Sequence, residues 1–201
     1  MRASTRREFI AGPAGRIECA VDKPDGPAGG VARGVALIAH PHPLFGGTLD
    51  NKVVQTLARA FVELGYETWR PNFRGVGETE GVHDEGRGEL EDLQAVLNSI
   101  KTGAFILAGF SFGASLAAKL AERAKPEWLV LVGVGLTRIM APPVPPGTLV
   151  IHGESDDTVP LAAVLDWARP QELPVVVVPG ADHFFHRKLH ILRALVEQNS
   201  K

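Results

Sequence analysis

Hydrophobic positions along the chain follow two rhythms. Five short runs are almost continuously apolar and rich in branched residues: Gly34–Ala39, Ala104–Gly109, Trp128–Val134, Thr148–His152 and Leu173–Val178. Runs of that length and composition predict strands buried on both faces. A further run, Glu67–Asn72, is more polar but keeps the same place in the rhythm. Between these runs the apolar residues recur at helical spacing, which predicts helices over Asn51–Leu64, Gly88–Ile100, Phe112–Ala124, Leu161–Ala168 and Phe185–Gln198. Within Phe112–Ala124, for example, Leu116, Leu120 and Ala124 line up, while Lys119, Glu122 and Arg123 fall largely opposite. In Asn51–Leu64 the stripe is Val54, Leu57, Phe61 and Leu64, and Gly65 stands where a C-terminal cap belongs.

Alternation of strand and helix implies a mostly parallel sheet with right-handed crossovers and helices on both faces, an α/β fold. The start of the chain lacks helical periodicity. There Arg7–Ala11 and Arg16–Asp22, separated by Gly12-Pro13-Ala14-Gly15, predict an antiparallel hairpin at the sheet edge. No repeat or linker divides the chain, so residues 1–201 are expected to form one domain. With 22 glycines and 15 prolines, many turns should join short elements. The proline-rich stretch Pro142-Pro143-Val144-Pro145-Pro146 reads as a stiff connection between two strands.

Composition narrows the function classes. A formal net charge of −2 offers no electrostatic footprint for nucleic acid or an anionic membrane. Cys19, the one cysteine, excludes an intramolecular disulfide and a multi-cysteine metal site, and a reducing, cytoplasmic setting is the simplest fit. Thr5-Arg6-Arg7-Glu8-Phe9-Ile10 has the look of a twin-arginine export signal, but Ala11-Gly12-Pro13-Ala14-Gly15-Arg16 follows in place of an apolar stretch. The uncharged run Thr102–Ala118 is too short and too broken by glycine and serine for a membrane helix, so a soluble protein is expected.

Ligands of an open parallel sheet bind at the carboxyl ends of its strands, so the residues after each strand carry the chemistry. After Ala104–Gly109 comes Gly109-Phe110-Ser111-Phe112-Gly113, then a helix. Gly-x-Ser-x-Gly at such a junction is a nucleophile elbow, in which a tight turn pushes the serine out above a helix N-terminus. A serine hydroxyl needs a base to take its proton, and that base needs a carboxylate to orient it. His183 follows the last strand; Glu154, Asp156 and Asp157 follow the one before. Serine, then carboxylate, then histidine is the chain order of α/β-hydrolase triads. His186 and His190, four apart on the predicted final helix, would share a face, but no carboxylate sits in an obvious ligand position beside them. No metal or organic cofactor is called for by the chemistry of these residues.

On these strings the chain resembles the α/β-hydrolases, and among them the small lidless serine hydrolases related to dienelactone hydrolases. The resemblance is carried by His40-Pro41-His42-Pro43-Leu44-Phe45-Gly46-Gly47-Thr48, Asn72-Phe73-Arg74-Gly75-Val76-Gly77, the elbow, His152–Pro160 and Gly180–Phe185. Ser111 stands where dienelactone hydrolase itself has cysteine, so lactone specificity is not carried over. The resemblance to Gly-x-x-Asp-x-x-Val-Pro selects Asp156 as the acid. It also implies that the loop after the first parallel strand supplies an oxyanion-hole amide. Pro41 and Pro43 have no N–H, so His42 is the expected donor, with Leu44 the alternative. The backbone N–H of Phe112 would be the second donor. His40 is expected to brace its loop through hydrogen bonds, and the resemblance implies that Arg74 anchors the glycine-rich segment Arg70–Gly81 in the same way.

A lid in this superfamily follows the strand after the elbow strand. Here the next strand, Thr148–His152, begins too soon for one. An open cleft favours small or short-chain acyl esters, with Leu44, Phe45, Phe110, Phe112, Phe184 and Phe185 as candidate walls. The expected partner is a small-molecule ester. A thioesterase or acyltransferase would use the same residues, and a binding module on the same fold is the rival of a different class. Whether the loop around His83 and Asp84 closes over the site is not written in the sequence.

Overall fold

In the computed structural model, which describes residues 5–24, 32–100, 103–136 and 139–200, the apolar runs build one eight-stranded sheet. Its strands are β1 (Arg6–Gly12), β2 (Gly15–Asp22), β3 (Val35–Ala39), β4 (Glu67–Pro71), β5 (Phe105–Phe110), β6 (Trp128–Val132), β7 (Leu149–Gly153) and β8 (Val175–Val178). Their spatial order is β1-β2-β4-β3-β5-β6-β7-β8. The β1–β2 hairpin pairs antiparallel onto β4, and the remaining pairs are parallel. This is the α/β-hydrolase fold, with the expected N-terminal hairpin at one edge.

Strands β3, β5, β6 and β7 are buried at every residue. Side chains alternate between two cores, as a period of two requires. Val35, Leu37 and Ala39 face the layer of α2 (Arg87–Ile100), α3 (Phe112–Ala124) and α4 (Leu161–Ala168). Ala36 and Ile38 face α1 (Lys52–Glu63) and α5 (Leu189–Gln198). The more polar β4 is explained by Arg70, which is buried and pairs with Asp22 of β2 at 2.7 Å and with the Leu49 carbonyl at 3.0 Å. Its charge therefore fastens the hairpin to the parallel sheet.

Register sets the site. Ala39 lies opposite Gly109, so β3 and β5 end level and the loop after β3 borders the elbow. Gly153 lies opposite Val178, which brings the two loops that follow β7 and β8 side by side.

Three boundaries differ from expectation by two residues or more. The last helix begins at Leu189 rather than Phe185, because Phe185 and Arg187 both adopt positive φ (54° and 60°). His186 thus lies before α5, not on a helical face shared with His190, and its Nδ1 sits 2.7 Å from Asp182 Oδ2. The strand predicted to reach Val134 stops at Val132, where Gly133 turns at φ 52°. The last strand starts at Val175 rather than Leu173, whose backbone N–H closes the turn after α4 by donating a hydrogen bond to the Ala168 carbonyl.

No helix is found in the described residues between β6 and β7. That proline-rich connection is tied to the α4 region by Trp167 Nε1 donating to the Ala141 carbonyl and by the Val144 amide donating to Gln171. No helix among the described residues is long and apolar enough to cross a membrane.

Candidate active site

The turn from β5 into α3 is possible only with glycine on both sides of its serine. A Cβ on Gly109 would overlap the Gly113 backbone, and one on Gly113 would overlap the carbonyl oxygens of Ala39 and His40. Ser111 itself takes φ 56°, ψ −120°, a conformation that costs an L-residue on the order of 1–3 kcal/mol. Neighbouring structure holds it there. Its amide donates to the Val132 carbonyl at 2.9 Å, and its carbonyl accepts from Ala114, Ser115 and Gly135. The hydroxyl is thereby presented at the N-terminus of α3.

His183 Nε2 lies 3.0 Å from Ser111 Oγ, and its Nδ1 lies 2.7 Å from Asp156 Oδ2. The other Asp156 oxygen accepts the amides of Thr158 (3.0 Å) and Val159 (2.8 Å). A carboxylate thus engaged can only accept, so the imidazole proton belongs on Nδ1 and Nε2 is left to receive one from serine. Burial pushes the Asp156 carboxyl up, but the His183 and Val159 hydrogen bonds outweigh it and hold the group below the ordinary carboxylate range. Of the three acidic residues considered, this is the one against His183. Glu154 accepts the Gly180 amide at 2.7 Å, and Asp157 is exposed. The Phe110 ring packs beneath His183 with centroids 4.8 Å apart.

One buried neighbour of this chain was not legible in the sequence. His152, the fourth residue of β7, is fully buried, and its Nε2 donates to the Val159 carbonyl at 2.9 Å while lying 3.5 Å from Asp156 Oδ2. Burial lowers its pKa. It braces the loop that carries Asp156; a histidine at a strand end just before an acid-bearing loop is the signal that could have found it.

The loop after β3 is braced as expected. His40 Nδ1 donates to the Pro41 carbonyl and Nε2 accepts the Phe73 amide at 2.9 Å. Beyond it lies a 3-10 turn, Pro43–Phe45. Here Leu44, the alternative oxyanion donor, turns its amide onto His42 Nδ1 at 3.3 Å, and the Phe45 and Gly47 amides go to the His42 carbonyl. His42 and Phe112 line the hollow over Ser111. Arg74 anchors its loop to α2 with a bidentate pair onto Asp92, at 2.7 and 2.8 Å.

Ser111 sits where two open spaces meet. On the His183 side a cleft of about 300 Å³ runs past Phe45, Asn51 and Phe184. On the other, a hollow of about 90 Å³ is bounded by Phe112, Gly135, Ile139 and Val159. Phe110 and Phe185, expected as walls, are instead fully buried in the core: β5 turns Phe110 inward, and the positive φ of Phe185 folds it under α1 and α5.

Comparison with known proteins assigns the fold to a family. The chain belongs to the alpha/beta hydrolase family, whose sequence model matches residues 37–148. It is similar to a lidless α/β serine hydrolase from Xanthomonas campestris, at 37% identity and a TM-score of 0.90 over 99% of this chain and 94% of that one. It is likewise similar to an α/β serine hydrolase homologue from Coxiella burnetii, at 40% identity and a TM-score of 0.86 over 98% and 97% of the two chains. An uncharacterized protein of Rickettsia prowazekii is 33% identical over 90% of this chain and 82% of its own length. The family match contains the elbow but ends before Asp156 and His183, whose assignment rests on their distances to each other and to Ser111.

Proposed function

We propose that the protein is a serine carboxylesterase that cleaves small or short-chain acyl esters through an acyl-enzyme. The observation that carries this reading is the His183 ring, within hydrogen-bond reach of Ser111 Oγ through one nitrogen and of Asp156 through the other. Ser111 Oγ attacks the ester carbonyl while its proton passes to His183 Nε2. The resulting oxyanion is held by the backbone N–H groups of Phe112 and His42, each donor in such a hole contributing roughly 3–4 kcal/mol. Collapse of the tetrahedral adduct expels the alcohol, which takes the proton from Nε2. Water then attacks the acyl-enzyme carbonyl while His183 Nε2 takes its proton, and His183 passes that proton to Ser111 Oγ as the acid leaves. Throughout, Asp156 keeps the Nδ1 proton in place and stabilises the imidazolium.

An open, lidless cleft supports the small-ester reading, because an acyl chain that outgrows the hollows beside Ser111 would lie in water and gain little further binding. Hydrolysis of p-nitrophenyl acetate, butyrate and octanoate by wild type and Ser111→Ala tests it. Turnover should fall with chain length and vanish in the variant. Equal rates in the two proteins would remove Ser111 from the mechanism.

A further inference from the structure

Beside the hollow over Ser111 lies a separate cavity of about 330 Å³, lined by His42, Leu44, His83, Glu85, Phe112 and Ile139. It shares His42, Phe112 and Ile139 with that hollow. The alcohol of an ester must leave beside His183, which protonates it, so this cavity lies on the acyl side.

Three walls are apolar, but one end is polar and firmly built. Glu89, in the first turn of α2, is fully buried. Its Oε1 accepts the Asp84 amide at 2.9 Å and its Oε2 the Gly86 amide at 2.8 Å. Against Oε1, at 2.8 Å, stands His83 Nδ1, a close contact without the alignment of a hydrogen bond. The His83 ring is also packed against His42 (centroids 4.9 Å apart) and Phe112 (5.9 Å). A side chain held this way by a buried acid and two rings is a fixed feature of the cavity wall.

We infer that this cavity binds an acyl group carrying a distal hydroxyl, with His83 as its recognition residue; the inference rests on the serine esterase reading above. Both Glu89 oxygens act as acceptors, so His83 keeps its proton on Nδ1 and meets a ligand with Nε2. That nitrogen accepts when the ring is neutral and donates when it is charged. A hydroxyl satisfies either state, whereas an alkyl chain satisfies neither. A carboxylate-bearing acyl group is disfavoured by Glu85, an exposed acid on the same cavity. That acid gives a hydroxyl a further acceptor.

The test compares p-nitrophenyl hexanoate, 6-hydroxyhexanoate and 6-methoxyhexanoate on wild type, His83→Phe and His83→Gln, with rates normalised to the fraction labelled by a fluorophosphonate. In wild type, kcat/KM for the hydroxy ester should exceed that for hexanoate by roughly five- to tenfold, mainly through KM, as one good hydrogen bond provides. The methoxy ester, which cannot donate, should fall well short of the hydroxy ester. His83→Phe should bring the hydroxy-to-alkyl ratio to about one, and His83→Gln should restore part of it. A wild-type ratio near one, or an unchanged ratio in His83→Phe, would overturn the assignment while leaving the esterase intact. Absence of both labelling and hydrolysis would instead remove the esterase reading, and this inference with it.

Discussion

His40 Nε2 accepts the backbone N–H of Phe73 at 2.9 Å, so one fully buried imidazole joins the loop after β3 to the loop after β4. Two of the loops that frame the cleft are thereby held at a fixed separation. The same bond requires His40 to be neutral at Nε2, which links the site's architecture to pH.

Burial lowers the His40 pKa from 6.5 to about 3. The unfolded chain therefore takes up this proton below pH 6.5 and the folded one does not, so stability falls with pH from 6.5 down to about 3. His152, lowered in the same direction by burial, adds to the slope. Urea denaturation at pH 7 and pH 5 should show a loss of about 2 kcal/mol from His40 alone, at roughly 1.4 kcal/mol per pH unit. His40→Gln should be less stable at pH 7 and should lose that part of the pH dependence. A wild-type protein equally stable at both values would contradict it.

The positive φ of Ser111 is a cost borne for position. Ser111→Gly should relieve it and melt higher than Ser111→Ala, which keeps the strained backbone without the hydroxyl. A difference of about 1 kcal/mol is expected, and calorimetry of the two inactive proteins measures it. Gly113→Ala should act in the opposite sense. Its methyl would press on the carbonyls of Ala39 and His40, costing about 1–3 kcal/mol and displacing the His42 loop.

Asp156→Asn keeps the shape of the acid but not its demand for a proton on His183 Nδ1. The amide can hold the ring in the wrong tautomer, so kcat on p-nitrophenyl acetate should fall by roughly a thousandfold or more with little change in KM. Asp157→Asn, at an exposed position with a single long contact to Thr158, should remain within about twofold of wild type. Comparable losses in the two variants would dissociate Asp156 from the mechanism.

Cys19 is buried in β2, and burial, followed by the charges of Glu18 and Glu8, pushes its thiol up to about 12. The thiolate is the reactive form, so the native protein should not react with an aromatic disulfide at pH 8, and denaturant should expose one thiol. Rapid reaction of the native chain would contradict the burial of β2.

Much of the fold was legible because the chain is locally consistent. The central strands are buried on both faces, and so they appear as uninterrupted apolar runs. The elbow was legible because close backbone approach leaves glycine as the residue that fits at 109 and 113. What escaped depends on contacts between distant segments. Phe185 continues the apolar stripe of α5, yet a turn capped by Asp182 sends it into the core as a loop residue. In the sequence His152 is set apart only by its place at a strand end before the acid-bearing loop, and His83 looks like any other histidine. Only the folded chain sets one against Asp156 and the other against Glu89. Leu44 was open as a donor until the 3-10 turn directed its amide onto His42. Backbone hydrogen bonds of a short loop leave no periodic trace.

Activation of Ser111 by His183 can be read by intact-protein mass spectrometry after exposure to a fluorophosphonate, which reacts only with an activated serine. Wild type should carry a single adduct, mapped to the peptide containing Ser111, with no adduct on Ser111→Ala and labelling of His183→Ala slowed by orders of magnitude. An unlabelled wild type, or an adduct that persists in Ser111→Ala, would contradict it.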